Sequence, residues 1–435
     1  MTATSHRALL LATSAIVLAC SPARAETLPD ALNTLVREHP QIRAARNTAS
    51  GAEESVNKVW GTYLPSIDVK ADTGMERIDN PARRDQGLDP FYRDRNTYTF
   101  SLTQKLWDGG AREGLYAASK YQRDAARFTV SGTTQSVMFE GISAYLDVLK
   151  QTRLVALAAQ NENTIRRQLH LEDERVRRGS GIAVDVLQAK TRLQLSKERR
   201  VAFEGALEAA MSRYLQIFGH PAEVAAMTEP PVPEALLPDS LDVAVERAKG
   251  GNPTIAVSRA QSSALEETRS VAEAGYMPTF NLVMEHGYEN GRDAVIGTRR
   301  DYSILLEASW NLFNGLQTRA EVSKAAFDHA ASMDNLKHAN RKVVEQTRLA
   351  WQALDTARKR VELLSNAMNI ASEVFTARTK LRDAGKETAL NVLDAENEVY
   401  NARINQTSAT FDMKLASYQL LLAMGELESS RVARN

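Results

Sequence analysis

The sequence predicts a membrane β-barrel joined to a long α-helical barrel. The unit is a duplicated helix-strand-strand-helix-helix, with four strands per chain. Three observations lead there. First, the chain repeats itself. His39-Pro40-Gln41-Ile42 is answered by Asn252-Pro253-Thr254-Ile255, and Tyr63-Leu64-Pro65-Ser66 by Tyr276-Met277-Pro278-Thr279, both 213 positions later. Leu106-Trp107-Asp108-Gly109 returns as Leu312-Phe313-Asn314-Gly315, and Phe218-Gly219 as Met424-Gly425, both 206 later. A duplication of that extent fixes the fold unit. Second, within each copy the hydrophobic period changes from 3.6 to 2 and back. Third, the helical pattern after each strand pair runs for nearly 70 residues, roughly 100 Å at 1.5 Å per residue, which no single globular core accommodates.

The elements follow in order. Residues 1–25 read as a signal peptide: His6 and Arg7, an apolar run from Ala8 to Cys20, then Ala23-Arg24-Ala25 at cleavage-site spacing. Val17-Leu18-Ala19-Cys20 leaves a second reading open, a lipid-attachment box with leucine where a smaller residue is usual. Cys20 is the only cysteine, so a chain cleaved before Glu26 has neither disulfides nor thiolate metal sites. Residues 26–219 form the first repeat, 220–239 a linker bearing Pro221, Pro230, Pro231, Pro233 and Pro238, 240–426 the second repeat, and 427–435 a tail.

The first repeat opens with a helix from Leu28 to about Trp60, its apolar positions Leu28, Ala31, Leu32, Leu35 and Val36 at helical spacing. Strands follow at about 64–76 and 96–107, where Ile67, Val69 and Ala71 alternate with Asp68, Lys70 and Asp72. Asn80-Pro81 and Asp89-Pro90 mark a charged loop between them. The second repeat places strands at about 277–289 and 300–313, joined by a shorter loop. The turns at Asp108-Gly109-Gly110 and Asn314-Gly315 start long helices. These run to about Arg178 and Ala384, and each doubles back, giving helical hairpins at 111–219 and 316–426.

Strands of about ten residues with one apolar row suit a tilted bilayer crossing. In lipid every strand edge must be paired, so the sheet must close. Four strands are too few to close around a lumen, whereas three copies would supply twelve. The polar row (Asp68, Lys70, Asp72, Thr99, Thr103, Asn281, Glu285, Glu307) would then face water in the lumen. The competing reading is a soluble α+β protein whose apolar rows meet a core. On the helices, Val186, Leu187, Leu193 and Leu195 in one copy, and Leu381, Val392, Leu393 and Val399 in the other, form interrupted seams. The nearby charge run from Arg166 to Arg178 reads as a solvated face, with lumen lining or partner docking as the alternative.

Composition excludes several classes. Lysine plus arginine equals aspartate plus glutamate at 54 each, so there is no basic footprint for nucleic acid. After residue 25 no apolar run is long enough for a transmembrane helix. The seven histidines are scattered without metal-ligand spacing, and no phosphate-binding glycine loop is present. Neither enzyme activity nor a cofactor is expected, and any ATP hydrolysis belongs to a partner.

Gly179 with Asp185-Val186-Leu187-Gln188-Ala189 is answered by Gly385 with Asn391-Val392-Leu393-Asp394-Ala395. With the duplication and the His-Pro-Gln-Ile and Tyr-Leu-Pro-Ser motifs, this pattern resembles the TolC family of bacterial outer-membrane export channels over nearly the whole mature chain. The resemblance implies a homotrimer, a twelve-stranded outer-membrane barrel and a long periplasmic tunnel. It also implies a periplasmic adaptor that links the tunnel to an inner-membrane transporter. Arg77 to Arg83 and Arg175 to Gly179 are similar to type I secretion members. Those work with an ABC transporter and export unfolded proteins of adhesin or repeat-rich toxin type. Drug or metal efflux remains an alternative, as does a non-transporting periplasmic coiled coil.

The resemblance also implies where the tunnel closes. Asp185 and Gln188 fall on the first hairpin tip, Asn391 and Asp394 on the second, and Gly179 and Gly385 at tips where the adaptor docks. Three copies of Asp394 would ring the constriction with negative charge and admit divalent block. Asn391 stands where related channels can carry a second aspartate, so one ring is expected. Glu387 stands where related channels can carry a tip-locking arginine, and the adjacent Lys386 is a substitute through Asp185. Helix N-capping is the other reading of Asp185 and Asn391. Opening is expected as an iris-like shift of the tip helices, driven by adaptor contacts made in the open state.

Overall fold

The computed structural model describes residues 27–179, 182–293 and 295–429. The signal peptide with Cys20, Ser180-Gly181 of the first tip, and residues 430–435 lie outside them.

The chain opens with α1 (Leu28–Glu38) and α2 (Pro40–Gly61) rather than one helix. Proline cannot donate into the ladder and pushes its predecessor out of the α region, so His39 takes an extended conformation. Its ring Nδ1 then caps α2 by accepting from the Gln41 N–H at 3.3 Å. The second copy makes the same device with other atoms. Asn252 Oδ1 accepts from the Thr254 N–H at 2.9 Å between α6 (Leu241–Gly251) and α7 (Pro253–Glu273).

One antiparallel sheet runs in the order β1 (Ser66–Ile78), β2 (Phe91–Trp107), β3 (Thr279–Asn290), β4 (Thr298–Ser309). The bounds differ from the alternation-based ones. β1 and β2 extend further outward because charge pairing continues the ladder where apolar alternation stops: Arg95 meets Asp72 at 3.1 Å and Glu76 at 3.5 Å. β4 ends early, where the Trp310 indole turns back to donate to the Tyr276 carbonyl at 3.0 Å. Gln104 makes the equivalent bond to the Tyr63 carbonyl at 3.0 Å, so the duplication is visible in single contacts. The charged loop holds a short helix, α3 (Pro81–Asp85), capped by Asn80, whose side chain accepts from the Arg83 N–H at 3.0 Å.

The helical hairpins are near copies. α4 (Ala111–Arg177) and α8 (Gln317–Asp383) have 67 residues each, and α5 (Ala183–Phe218) and α9 (Ala389–Met424) have 36 each. The core sits at mid-length, where Met138, Ile142 and Tyr145 of α4 meet Leu32, Tyr214, Leu354 and Leu421. Residues 220–239 are a strap on that core as well as a connection. Ala222 and Met227 are buried, the Tyr145 hydroxyl donates to the Thr228 carbonyl at 2.8 Å, and Lys414 bonds Glu229 and the Pro230 carbonyl. Leu427 also joins the core, so the packed body reaches past residue 426.

Sheet and helices are fastened together by Arg112, which is nearly fully buried. Its guanidinium donates to the carbonyls of Lys105 and Leu106 at 3.0 and 3.1 Å and lies 3.3 Å from Asp108. The same group sits over the Tyr63 ring at 4.8 Å. No described helix is long and apolar enough to cross a membrane.

Candidate functional site

The strand register separates the sheet into two chemical faces. Asp68 opposes Ser101, which opposes Glu285, and Lys70 opposes Thr99. Ser66 opposes Thr103, Asp72 opposes Thr97, and Asn281 opposes Glu307. Directly paired residues share a face, so all eight residues expected to line a lumen lie on one side. The other side carries Ile67, Val69, Phe100, Leu102, Met284, Ile304 and Leu306. Val69, Ile304 and Leu306 are 72%, 70% and 68% exposed, so the chain's own residues do not cover this face. Aromatic pairs border it: Trp107 with Phe280 at 5.9 Å on the side of the helices, Tyr98 with Tyr288 at 5.8 Å and His286 with Tyr302 at 4.2 Å further out. An apolar band between aromatic girdles is the surface of a lipid-facing barrel.

At the far end of the helices lie the tips. Gly179 and Gly385 take the left-handed conformation, φ 76° and 73°, and close α4 and α8. A Cβ at either would meet no atom within 4 Å, so the backbone turn, not crowding, demands glycine there.

Neither Asp185 nor Asn391 is a helix cap. Ile182 occupies the cap position of α5 without a side-chain bond, and Asp185 lies in the first turn. Thr388 caps α9, its hydroxyl accepting from the Asn391 N–H at 3.3 Å. Asn391 donates its side-chain amide back to Glu387 at 2.5 Å, and the Thr388 N–H donates to the same carboxylate. Those hydrogen bonds hold the Glu387 carboxyl below its ordinary pKa, with Arg378 at 4.0 Å adding to the effect. Among the described residues Lys386 makes no ion pair with Asp185 or any other residue.

Nearer the core Lys150 of α4 meets Asp412 of α9 at 3.0 Å; toward the tips the hairpins are joined by two arginines that sequence reasoning passed over. Arg382 of α8 pairs with Glu172 of α4, and their side chains are only 8% and 4% exposed; Arg382 also donates to Gln168 Oε1 at 3.1 Å. Arg192 of α5 pairs with Asp394 of α9. The Asp394 side chain is 58% exposed and carries a partner within its own chain. Gln188 stands part-buried on α5, one turn before Arg192. Two turns further along, Arg199 donates to Asn401 at 3.0 Å, so the α5 and α9 pairings keep one register. The apolar seams are only half used: Val186, Leu193, Val392 and Leu393 are buried, while Leu187 and Leu195 stay exposed.

The model of the outer membrane efflux protein family matches residues 31–220 and 244–426, one segment per repeat. The chain is 24% identical over 425 residues to outer membrane efflux protein BepC of Brucella suis, covering 96% of this chain and 90% of that one. Outer membrane protein TolC of Vibrio cholerae is 22% identical, with 97% and 96% covered. Proteases secretion protein PrtF of Dickeya chrysanthemi is 24% identical, with 97% and 93% covered. Among solved structures, the outer membrane protein VceC of Vibrio cholerae superposes with a TM-score of 0.79 at 14% identity, over 92% of this chain and 96% of that one.

Proposed function

The chain belongs to the outer membrane efflux protein family and is a TolC-type outer-membrane channel with a long periplasmic helical tunnel; from that premise we propose how it assembles, closes and is used. Channels of this family are trimeric and serve efflux or secretion systems. Three copies of this chain pool their sheets into one twelve-stranded barrel, apolar face to lipid and polar face to a water-filled lumen. The observation that carries this reading is the two-faced sheet with its bare apolar side. Exposed helix residues such as Leu187 and Leu195 support it, because a neighbouring copy would cover them.

The lumen is closed at the periplasmic tips. Within each chain the Arg382–Glu172 and Arg192–Asp394 pairs tie one hairpin to the other, so the iris stays shut until those ties part. Three Asp394 carboxylates ring the constriction, each partly neutralised by its own Arg192. An adaptor that contacts the tips around Gly179 and Gly385 favours the open form by binding it better than the closed one.

The transported class is protein, exported in a type I secretion system with an ABC transporter and a periplasmic adaptor. The near-complete match to PrtF, a relative named for protease secretion, supports this choice. The match to BepC, named for efflux, supports the second reading of a drug or metal efflux channel. A deletion strain decides between them. Loss of one abundant secreted protein at unchanged drug tolerance is the expected phenotype. Normal secretion with new drug sensitivity overturns the protein-export reading.

A further inference from the structure

Glu396 is an anomaly in α9. It sits two residues past the exposed Asp394 but is itself only 8% exposed. Two cavities meet at it. One, of about 240 Å³, opens toward Arg192, Ser196 and Arg199 of α5; the other, of about 350 Å³, opens toward Ser372 and Phe375 of α8. Asn161 of α4 and Glu396 itself line both. The carboxyl thus stands where the four long helices of both hairpins converge. Its Oε2 has no hydrogen-bond partner among the described residues, and neither has the buried hydroxyl of Tyr400 one turn on.

None of the charged groups around it forms an ion pair with it among the described residues, and the arginines of α4 and α5 are engaged elsewhere. From α4, Arg167 donates to Thr164. From α5, Arg192 is held by Asp394, while Arg199 bonds Asn401 and lies 6.0 Å from the Tyr400 ring. From α9 come Asp394, Arg403 and Tyr400, and from α8 the uncharged Ser372, Phe375 and Thr376. An ionised carboxylate here is desolvated without a matched partner, which is costly. Burial accordingly pushes the Glu396 carboxyl up to about 7, against a smaller downward pull from Arg167 and Arg192.

We propose that Glu396 is a proton-operated latch of the tunnel: neutral, it lets the two hairpins of a chain close around it; ionised, it drives them apart to reach water. Parting the hairpins hydrates the carboxyl and returns it toward its ordinary range. The closed form therefore holds up to one more proton per chain than the open form between the ordinary carboxylate range and about pH 7. Raising the pH favours whichever form binds fewer protons, which is the open one. The latch differs from the Asp394 ring in that Glu396 is buried in the helix packing, whereas the Asp394 side chain is exposed.

This inference rests on the channel reading, and the experiment separates the two. The purified full-length protein is inserted in planar bilayers and its open probability recorded between about pH 5 and pH 8. The native channel should open about tenfold or more over that range, a typical coupling between sites. Glu396→Gln, neutral at every pH, should stay at its low-pH level throughout. A native channel indifferent to pH, or a Glu396→Gln channel that still opens, overturns the latch. Protease cleavage at the tips of the same trimers gives an independent decision. It should quicken with pH in the native protein and not in Glu396→Gln or Glu396→Met, and equal cleavage at both ends of the range overturns the latch. Absence of any conductance at any pH would count against the channel, leaving cleavage to decide the latch.

Discussion

Replacing Arg382 by methionine keeps the side-chain stem and removes its charge from the tie between the two hairpins. The pair it breaks is buried, with Glu172 4% and Arg382 8% exposed, and Gln168 loses its donor as well. Breaking a buried ion pair costs about 3–5 kcal/mol when the abandoned charge has no other partner. Here Arg175 stands 3.7 Å from Glu172 and takes over part of its compensation. The closed tip should therefore lose about 2 kcal/mol, a shift of roughly 30-fold per chain toward the open form. Single-channel recording reads this directly, as larger or more frequent openings at unchanged trimer yield. Glu172→Gln should act in the same direction. The double variant should fall short of the sum of the singles, because both remove one interaction. A conductance identical to the native channel, or strictly additive singles, would refute the claim that this pair holds the tip shut.

Three further outcomes follow from the same geometry. Arg192→Ala frees Asp394 and should strengthen divalent-cation block several-fold, whereas Asp394→Ala should weaken it; block titrations with calcium check both signs. Arg112→Ala removes a donor from the Lys105 and Leu106 carbonyls and leaves Asp108 with Lys105 at 3.8 Å and the residue-112 N–H, and should cost about 2 kcal/mol, read as a lower dissociation temperature of the trimer. For Glu396 the folded chain keeps a proton that the unfolded chain releases near its ordinary value of 4.5, so stability falls as the pH rises from there to about 7. The loss amounts to about 3 kcal/mol when complete. Glu396→Gln should remove this slope, measured as denaturation midpoint against pH.

Much of the architecture was legible because the duplication repeats its punctuation. The Pro40 and Pro253 starts, the Gly179 and Gly385 turns and the Gly219 and Gly425 ends are local devices whose chemistry is written in single residues. The strands were legible by their period of two over the apolar band, and their outer ends were misplaced because charge pairing through Arg95 carries no apolar signal. The break at His39 was also available, since a proline restricts its predecessor, but the continuous apolar spacing masked it. What the sequence could not show is pairing between hairpins. Arg382 meets Glu172, and Arg192 meets Asp394, only once the register of four helices is set. Glu396 lay within reach: it is one turn from both Val392 and Tyr400 on the buried stripe of α9, where a carboxylate is out of place.

A reducible crosslink between the hairpins shows whether the channel works only when they part. If the mature chain lacks cysteine, Glu172→Cys with Arg382→Cys supplies the only two thiols. A bis-methanethiosulfonate joins them where the native ion pair sits. Transport through the channel should stop when the link is made and return on reduction. Transport that continues with the thiols quantitatively joined would contradict that requirement.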